Sequence, residues 1–387
     1  MALGIYIQVP FCQTKCTYCN FHTGVVSAEK YAPYAAAVRS EILNRRSLYA
    51  WAGVPAGESE ISIVDTVYFG GGTPSLLDPG HLESILVATR ESFPSDWKEV
   101  TLEADPETVT REKAVAWSAA GINRVSFGVQ SFSDLELKSS GRMHRREDVH
   151  RAAPMLRAAG IQNLSFDLIV GLPHQTPDSW RNSLEELIEL KPEHVSIYLL
   201  EVDEGSRLGK ELISLGTKYS APAVPTDDQM ADSYNLARQL LSSAGYEHYE
   251  ISNWAKPGFA SRHNLKYWRR EPYLGFGAGA HSFDGTTRWA NAHDSAQYVA
   301  AIETGTLPVE QLEAVTIDQA HEEEMFLGLR QLAGINLDQF EPSYAAALSA
   351  KLPPLESAGL IERRGNLVRL APEKLSISNE VFVELLG

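Results

Sequence analysis

The chain is poor in cysteine: there are three in 387 residues, at positions 12, 16 and 19. An odd, tightly clustered set in a chain with no secretory signal is not a disulfide framework, and it leaves a metal site or a reactive site. Positive charge is also short. Lys and Arg total 34 against 50 Asp and Glu, a formal net charge of −16, which is the wrong sign for a general nucleic-acid binder. No apolar run approaches the roughly 20 residues that span a bilayer. Neither a basic leader nor a cleavage site precedes the strand-like opening, so a cytoplasmic protein without a membrane-spanning segment is expected. Fixed-period repeats and low-complexity tracts are missing too.

What is present is alternation. Short β-branched or aromatic runs at 4–9, 65–69, 99–103, 124–129, 163–170 and 194–200 are separated by helical stretches at 31–51, 81–93, 111–120, 145–159 and 176–190. Gly121, Gly160 and Pro192 stand where helices should stop. Repeated strand–helix units imply parallel strands joined by crossovers. Six units are too few for a closed eight-fold barrel, so the fold class expected is α/β, a partial, open (β/α)6 barrel. A doubly wound sheet is the alternative. Polar and glycine-rich residues at the C-terminal strand ends favour the barrel, whose sites are built there. The rhythm breaks after Leu200. Residues 1–225 read as the barrel and 226–294 as a helix followed by an aromatic, glycine-rich loop. Residues 295–387 read as a smaller, mostly helical, winged-helix-like domain whose hairpin turns at Gly365-Asn366.

The strongest local signal is Cys12-x3-Cys16-x2-Cys19, with Tyr18 before the last cysteine. Three thiolates on one loop can hold three corners of an iron–sulfur cube, leaving one iron open. A zinc site in which His22 supplies a fourth ligand is the competing reading. After the second strand comes Gly70-Gly71-Gly72-Thr73-Pro74, where missing side chains let backbone N–H groups approach a ligand. Glu103, Gln130 and Asp167 mark other strand ends, with Arg142 on a nearby loop. Together they read as ligand-binding groups, whereas Asp105 before Pro106 reads as a helix cap or a loop salt bridge.

On these residues the chain resembles the radical S-adenosylmethionine (SAM) superfamily, and in the order and spacing of its strand-end groups the HemN/HemW branch. Segments 125–132 and 166–173 look like that branch too, and the resemblance runs the length of the chain. It implies a [4Fe–4S] cluster on Cys12, Cys16 and Cys19, whose open iron chelates SAM. An electron from the cluster, delivered by an electron donor, then cleaves SAM to methionine and a 5′-deoxyadenosyl radical. It assigns Tyr6, Gly71 and Glu103 to the cluster-bound SAM, and Gly72, Thr73, Gln130, Arg142 and Asp167 to a second SAM site.

The branch holds oxygen-independent coproporphyrinogen III dehydrogenases, which act in porphyrin metabolism, and HemW-type heme chaperones. The dehydrogenase pattern has a fourth cysteine where this chain has Phe21, and a long extension where only 11 residues precede Cys12. The segment His263-Asn264-Leu265-Lys266-Tyr267-Trp268 matches the H-N-x-x-Y-W heme motif of the chaperone type. An imidazole is a good axial ligand and Tyr and Trp offer flat faces to a macrocycle. His281, within Gly-Ala-Gly-Ala-His281, is a second candidate ligand, read in the first place as ordering a glycine-rich turn. The resemblance therefore implies heme and a heme-acceptor protein, such as a respiratory hemoprotein, as partners. It is compatible with a homodimer and gives no role to nucleic acid.

Overall fold

A computed structural model describes residues 2–51 and 63–386. Six strands, β1 (Ala2–Val9), β2 (Ile63–Gly71), β3 (Ser95–Ala104), β4 (Arg124–Gln130), β5 (Asn163–Val170) and β6 (His194–Leu199), lie side by side in sequence order, each parallel to the next. Helices Tyr31–Trp51, Pro79–Ser92, Arg111–Ala120, Arg146–Ala158 and Pro177–Leu190 connect them. A doubly wound sheet reverses its strand order at a switch point; this one never does, so the winding is that of a (β/α)6 partial barrel.

Local sequence explains the elements. In β4, Val125, Phe127 and Val129 on one face and Arg124 and Ser126 on the other are all buried, as expected of a parallel strand covered on both sides. Helix Arg111–Ala120 is started by Thr110, whose side chain accepts from the Lys113 N–H, and stopped by Gly121 at φ 100°. Helix Pro177–Leu190 starts with a Thr176–Ser179 capping box and proline in its first turn, and ends on Lys191 in the left-handed region ahead of Pro192. Trp117 and Trp180, one from each helix, are wholly buried between helix layer and sheet.

The sheet continues past both edges of the six. Beyond β6 come the antiparallel strands β7 (Glu247–Glu250) and β8 (Asn253–Ala255), β8 being the one that pairs with β6. Beyond β1 come β9 (Tyr273–Phe276), parallel to it, then antiparallel β10 (His281–Phe283), β11 (Thr287–Asn291) and β12 (Val309–Ala314). With both edges taken, β1 and β6 do not pair, and the barrel stays open.

The stretch read as an aromatic, glycine-rich loop thus holds a helix, Arg262–Trp268, and five sheet strands, β7 to β11. These strands are three to five residues long, too short to display a period. Their glycines serve close packing: a Cβ on Gly275 would stand 2.1 Å from the His281 carbonyl oxygen.

The C-terminal residues form helices Ile317–Arg330, Pro342–Ser357 and Ser378–Leu386 around a small sheet of β13 (Ile335–Asn336), β14 (Ile361–Arg364) and β15 (Leu367–Leu370). Helix, strand, helix and hairpin give the expected winged-helix-like order, turning at Gly365 with φ 63°. In the hairpin Arg369 is paired with Glu362 at 2.6 Å. Helix Ile317–Arg330 is tied to the barrel by Arg330 to the buried Glu250 and by Arg270 and Arg288 to Glu323. No described helix is long and apolar enough to cross a membrane.

Candidate functional site

The cysteine loop follows β1 directly and is held from three sides. The Cys12 N–H donates to the Gly24 carbonyl at 3.0 Å, which fastens the two ends of the loop together. Thr17 donates its N–H to Ser140 and accepts the Leu208 N–H. Tyr18 packs against a small apolar cluster of Ile169, Leu172, Leu200 and Leu208. All three cysteines are unbridged and partly exposed. Among the described residues no three His, Cys, Asp or Glu side chains converge on one ion. His22, which a zinc site would need, has its ring against His293 at 4.4 Å. A cube instead spreads its thiolates over separate irons.

The glycine run buttresses this loop. Gly72 donates to the Val9 carbonyl at 2.8 Å and Thr73 to that of Phe11 at 2.7 Å. A Cβ on Gly72 would stand 2.5 Å from the Phe11 oxygen, and Gly71 has φ 109° with the Gln8 side chain over it. Glycine is required at both positions, one for space and one for backbone conformation.

Two groups of polar side chains face the barrel end. In the first, Glu103 accepts from the Gly71 N–H at 3.0 Å and from the Tyr68 hydroxyl at 2.8 Å. Burial, opposed by the Tyr68 hydrogen bond and reinforced by the charge of Asp167, pushes its carboxyl up to about 7. Tyr6 stacks on Tyr68 with ring centroids 5.9 Å apart and donates to Gln8 Oε1 at 2.9 Å. Tyr6, Gly71 and Glu103 are therefore brought together around Tyr68.

In the second group Arg142 is the hub. Its Nη2 donates to the Asp105 carboxylate and, at 2.8 Å, to the Gly128 carbonyl, and its Nη1 lies 3.6 Å from Cys16 Sγ. Thr73 Oγ1 donates to Asp105 at 3.3 Å. Gln130 takes φ 64° at the end of β4, a conformation costly for a side-chain-bearing residue and typical of functional sites. Its amide and Arg142 close over Gly128, whose Cβ would meet them at 2.8 and 3.1 Å. Asp167, one strand further on, stands with the first group, where its charge acts on Glu103 and Tyr68; it accepts from Ser126 at 3.1 Å and from Ser165 at 3.4 Å, and burial raises its carboxyl pKa.

Of the two uses expected of Asp105, the structure has the loop salt bridge and not the helix cap. Its side chain makes no cap hydrogen bond and instead joins Thr73 to Arg142. An Asp-Pro pair reads equally as a helix start on local rules; the partner that decides between the two uses, Arg142, is 37 residues away. Tyr68 was missed, since an aromatic inside a strand reads as core.

The H-N-x-x-Y-W segment lies beneath the first group, toward the N-terminal halves of the strands: the His263 ring stacks on Tyr68 at 5.2 Å and on Tyr6 at 6.3 Å between centroids. His263 is 1% exposed. Its Nδ1 is 2.9 Å from Thr66 Oγ1 and its Nε2 is 2.9 Å from the Tyr267 hydroxyl. Burial first, then the Lys266 and Arg124 charges, hold its pKa down at about 3. Glu99 of β3 accepts the N–H groups of Arg262 and His263 at the start of this helix, each at 3.0 Å, while Ser261 Oγ accepts the Asn264 N–H at 3.3 Å. Lys266, 4% exposed, pairs with Asp65 at 2.9 Å. Trp268 lies under the Arg330 guanidinium, 4.5 Å from ring centroid to carbon. The segment plugs the barrel floor and fastens the C-terminal helix to it. His281 does not order its turn through its ring: it stands exposed on β10, paired through the backbone with Ala290.

Two family models match: the radical SAM superfamily over residues 6–187 and the HemN C-terminal domain over residues 315–373. The heme chaperone HemW of Bacillus subtilis (strain 168) is 35% identical over 388 residues, covering 99% of this chain and 98% of that one. The heme chaperone HemW of Mycobacterium tuberculosis (strain CDC 1551 / Oshkosh) is 33% identical over 391 residues, covering 99% and 95%. Among solved structures, the coproporphyrinogen III oxidase HemN of Escherichia coli superposes with a TM-score of 0.82 over 99% of this chain and 89% of that one, at 21% identity. That level of identity establishes a shared fold.

Proposed function

The chain belongs to the HemW family of the radical SAM superfamily, and on that premise we propose that it is a heme chaperone, which binds heme and passes it to an acceptor protein. The observation that carries the reading is the match to HemW over 99% of the chain. A structural feature supports it: where the dehydrogenase pattern places a further cysteine, Phe21 stands 68% exposed beside the loop.

Cys12, Cys16 and Cys19 hold the [4Fe–4S] cluster; their unbridged thiols on one tied loop fit it. When bound, the cluster supplies an open iron and, from an electron donor, an electron. Gly71 and Glu103, with Tyr6, would receive the amino group of SAM, because a buried carboxylate fixed by the Gly71 N–H suits an ammonium. Arg142 holds a cation against Cys16 Sγ and fixes Asp105 and Thr73. With Gly72, Gln130 and Asp167 these groups line the second SAM position. An acceptor such as a respiratory hemoprotein takes the heme.

The test is anaerobic cluster reconstitution followed by heme titration, with coproporphyrinogen turnover assayed on the same sample. Saturable heme binding without decarboxylation is expected. Decarboxylation would make the chain a dehydrogenase, and neither activity would leave a radical SAM protein of another substrate.

A further inference from the structure

The H-N-x-x-Y-W histidine offers iron no free nitrogen. Both ring nitrogens of His263 are hydrogen-bonded, and its Cε1 lies 3.2 Å from where a Cβ on Gly4 of β1 would be. Axial ligation would break one of those bonds and force a macrocycle between the floor helix and two central strands. The helix cannot swing aside cheaply. Glu99 holds its first turn, Lys266 is paired inside, and Trp268 is clamped by Arg330.

A different group of imidazoles is open. His22 follows the cysteine loop and lies ring to ring with His293, centroids 4.4 Å apart. His293 comes just after β11, and His281 sits on β10, which pairs with β11. Among the described residues the rings of His22 and His281 make no hydrogen bond, and His293 Nδ1 is shielded from water without a partner. Burial, then His293, Arg288 and His22, lower the His281 pKa, and a neutral imidazole is the form that ligates iron. Beside His22 two large apolar side chains are bare, Phe21 at 68% and Val25 at 59% exposure. Unpaired imidazoles beside exposed apolar side chains are what a flat metalloporphyrin requires.

We propose that heme is ligated from the His22–His281–His293 group on the flank of the cysteine loop, and that the H-N-x-x-Y-W helix is the floor of the barrel. Contact between the His22 and His293 rings leaves no space for iron between them, so that pair contributes one axial imidazole and not two. The assignment rests on the heme-chaperone reading and gives that reading a place on the surface.

The experiment is a titration of ferric heme into the cluster-loaded full chain, read by the Soret band and by electron paramagnetic resonance. Wild type is compared with the triple variant His22→Gln/His281→Gln/His293→Gln, with His263→Gln and with Tyr267→Phe. The triple variant should lose the imidazole-type spectrum and bind at least about tenfold more weakly, some 1.4 kcal/mol, with its iron and sulfide content unchanged. His263→Gln, checked for folding by circular dichroism, should keep the wild-type spectrum while melting earlier. Tyr267→Phe frees His263 Nε2 and should leave heme affinity unaltered. A triple variant that binds like wild type overturns the assignment. So does a folded His263→Gln protein without the imidazole spectrum, or tighter binding by Tyr267→Phe. If wild type leaves the spectrum of free heme unchanged, the chaperone reading falls and this assignment with it.

Discussion

Arg142 Nη1 stands 3.6 Å from Cys16 Sγ although 126 residues separate them, and its Nη2 is bonded to Asp105. One guanidinium thus couples the cysteine loop to the ends of β3 and β4. Its side chain is only 10% exposed and that of Asp105 22%, so the pair works largely out of water, where removal of one partner leaves a charge uncompensated.

Arg142→Ala should therefore lower stability by about 3 kcal/mol and weaken SAM binding. Arg142→Ala/Asp105→Ala should cost less than the sum of the two single changes. Melting curves and SAM titration of the four proteins measure this; strict additivity would mean that the pair does not act as a unit.

Replacing any of Cys12, Cys16 or Cys19 with Ala should abolish cluster assembly, because each supplies one thiolate from a loop with no spare cysteine. Iron and sulfide analysis after anaerobic reconstitution checks this. Full stoichiometry in any of the three would remove that residue from the ligand set.

Gly72→Ala places a methyl group 2.5 Å from the Phe11 carbonyl oxygen, one residue before Cys12. Backbone must move to admit it. The variant should fold, with an unchanged far-ultraviolet spectrum, yet hold less iron per chain and lose it faster in air than wild type. Equal retention would show that the glycine run does not support the loop.

Glu41 is wholly buried and accepts from the Gly277 N–H, the Asn291 amide and the Tyr298 hydroxyl. Burial, opposed by these bonds, raises its pKa from 4.5 to about 7. A carboxyl raised on folding binds more protons when folded, so its contribution is full below the unfolded value and fades as pH rises through the folded one. The stability of wild type relative to Glu41→Gln should accordingly fall between about pH 5 and about pH 8, by up to about 3 kcal/mol at 1.36 kcal/mol per unit. Thermal melts of both proteins across that range provide the measurement. A constant difference would place the Glu41 proton elsewhere.

Much of this molecule was decided by sequence alone, wherever the controlling interactions are short in range. Strand and helix limits follow from periodicity and caps: β5 at Asn163–Val170 and helix Arg111–Ala120 lie where the residues placed them, since Thr110 and Gly121 act within a turn of their own positions. The cysteine spacing and the glycine run are likewise local, and carry their chemistry in the chain itself. Contacts across the fold were not legible. Whether Asp105 caps a helix or makes a loop salt bridge is settled only when Arg142 arrives from another loop, and three-residue strands such as β10 exist only because β11 is there to pair with them. The tertiary structure alone decided which histidines are open. His263 and His281 are the same residue type in comparably conspicuous motifs. Packing against β1 and β2 consumes both nitrogens of one, while the strand alternation of β10 turns the other toward solvent. Burial and hydrogen-bond partners come from residues distant in sequence, and those two properties determine whether an imidazole can ligate iron.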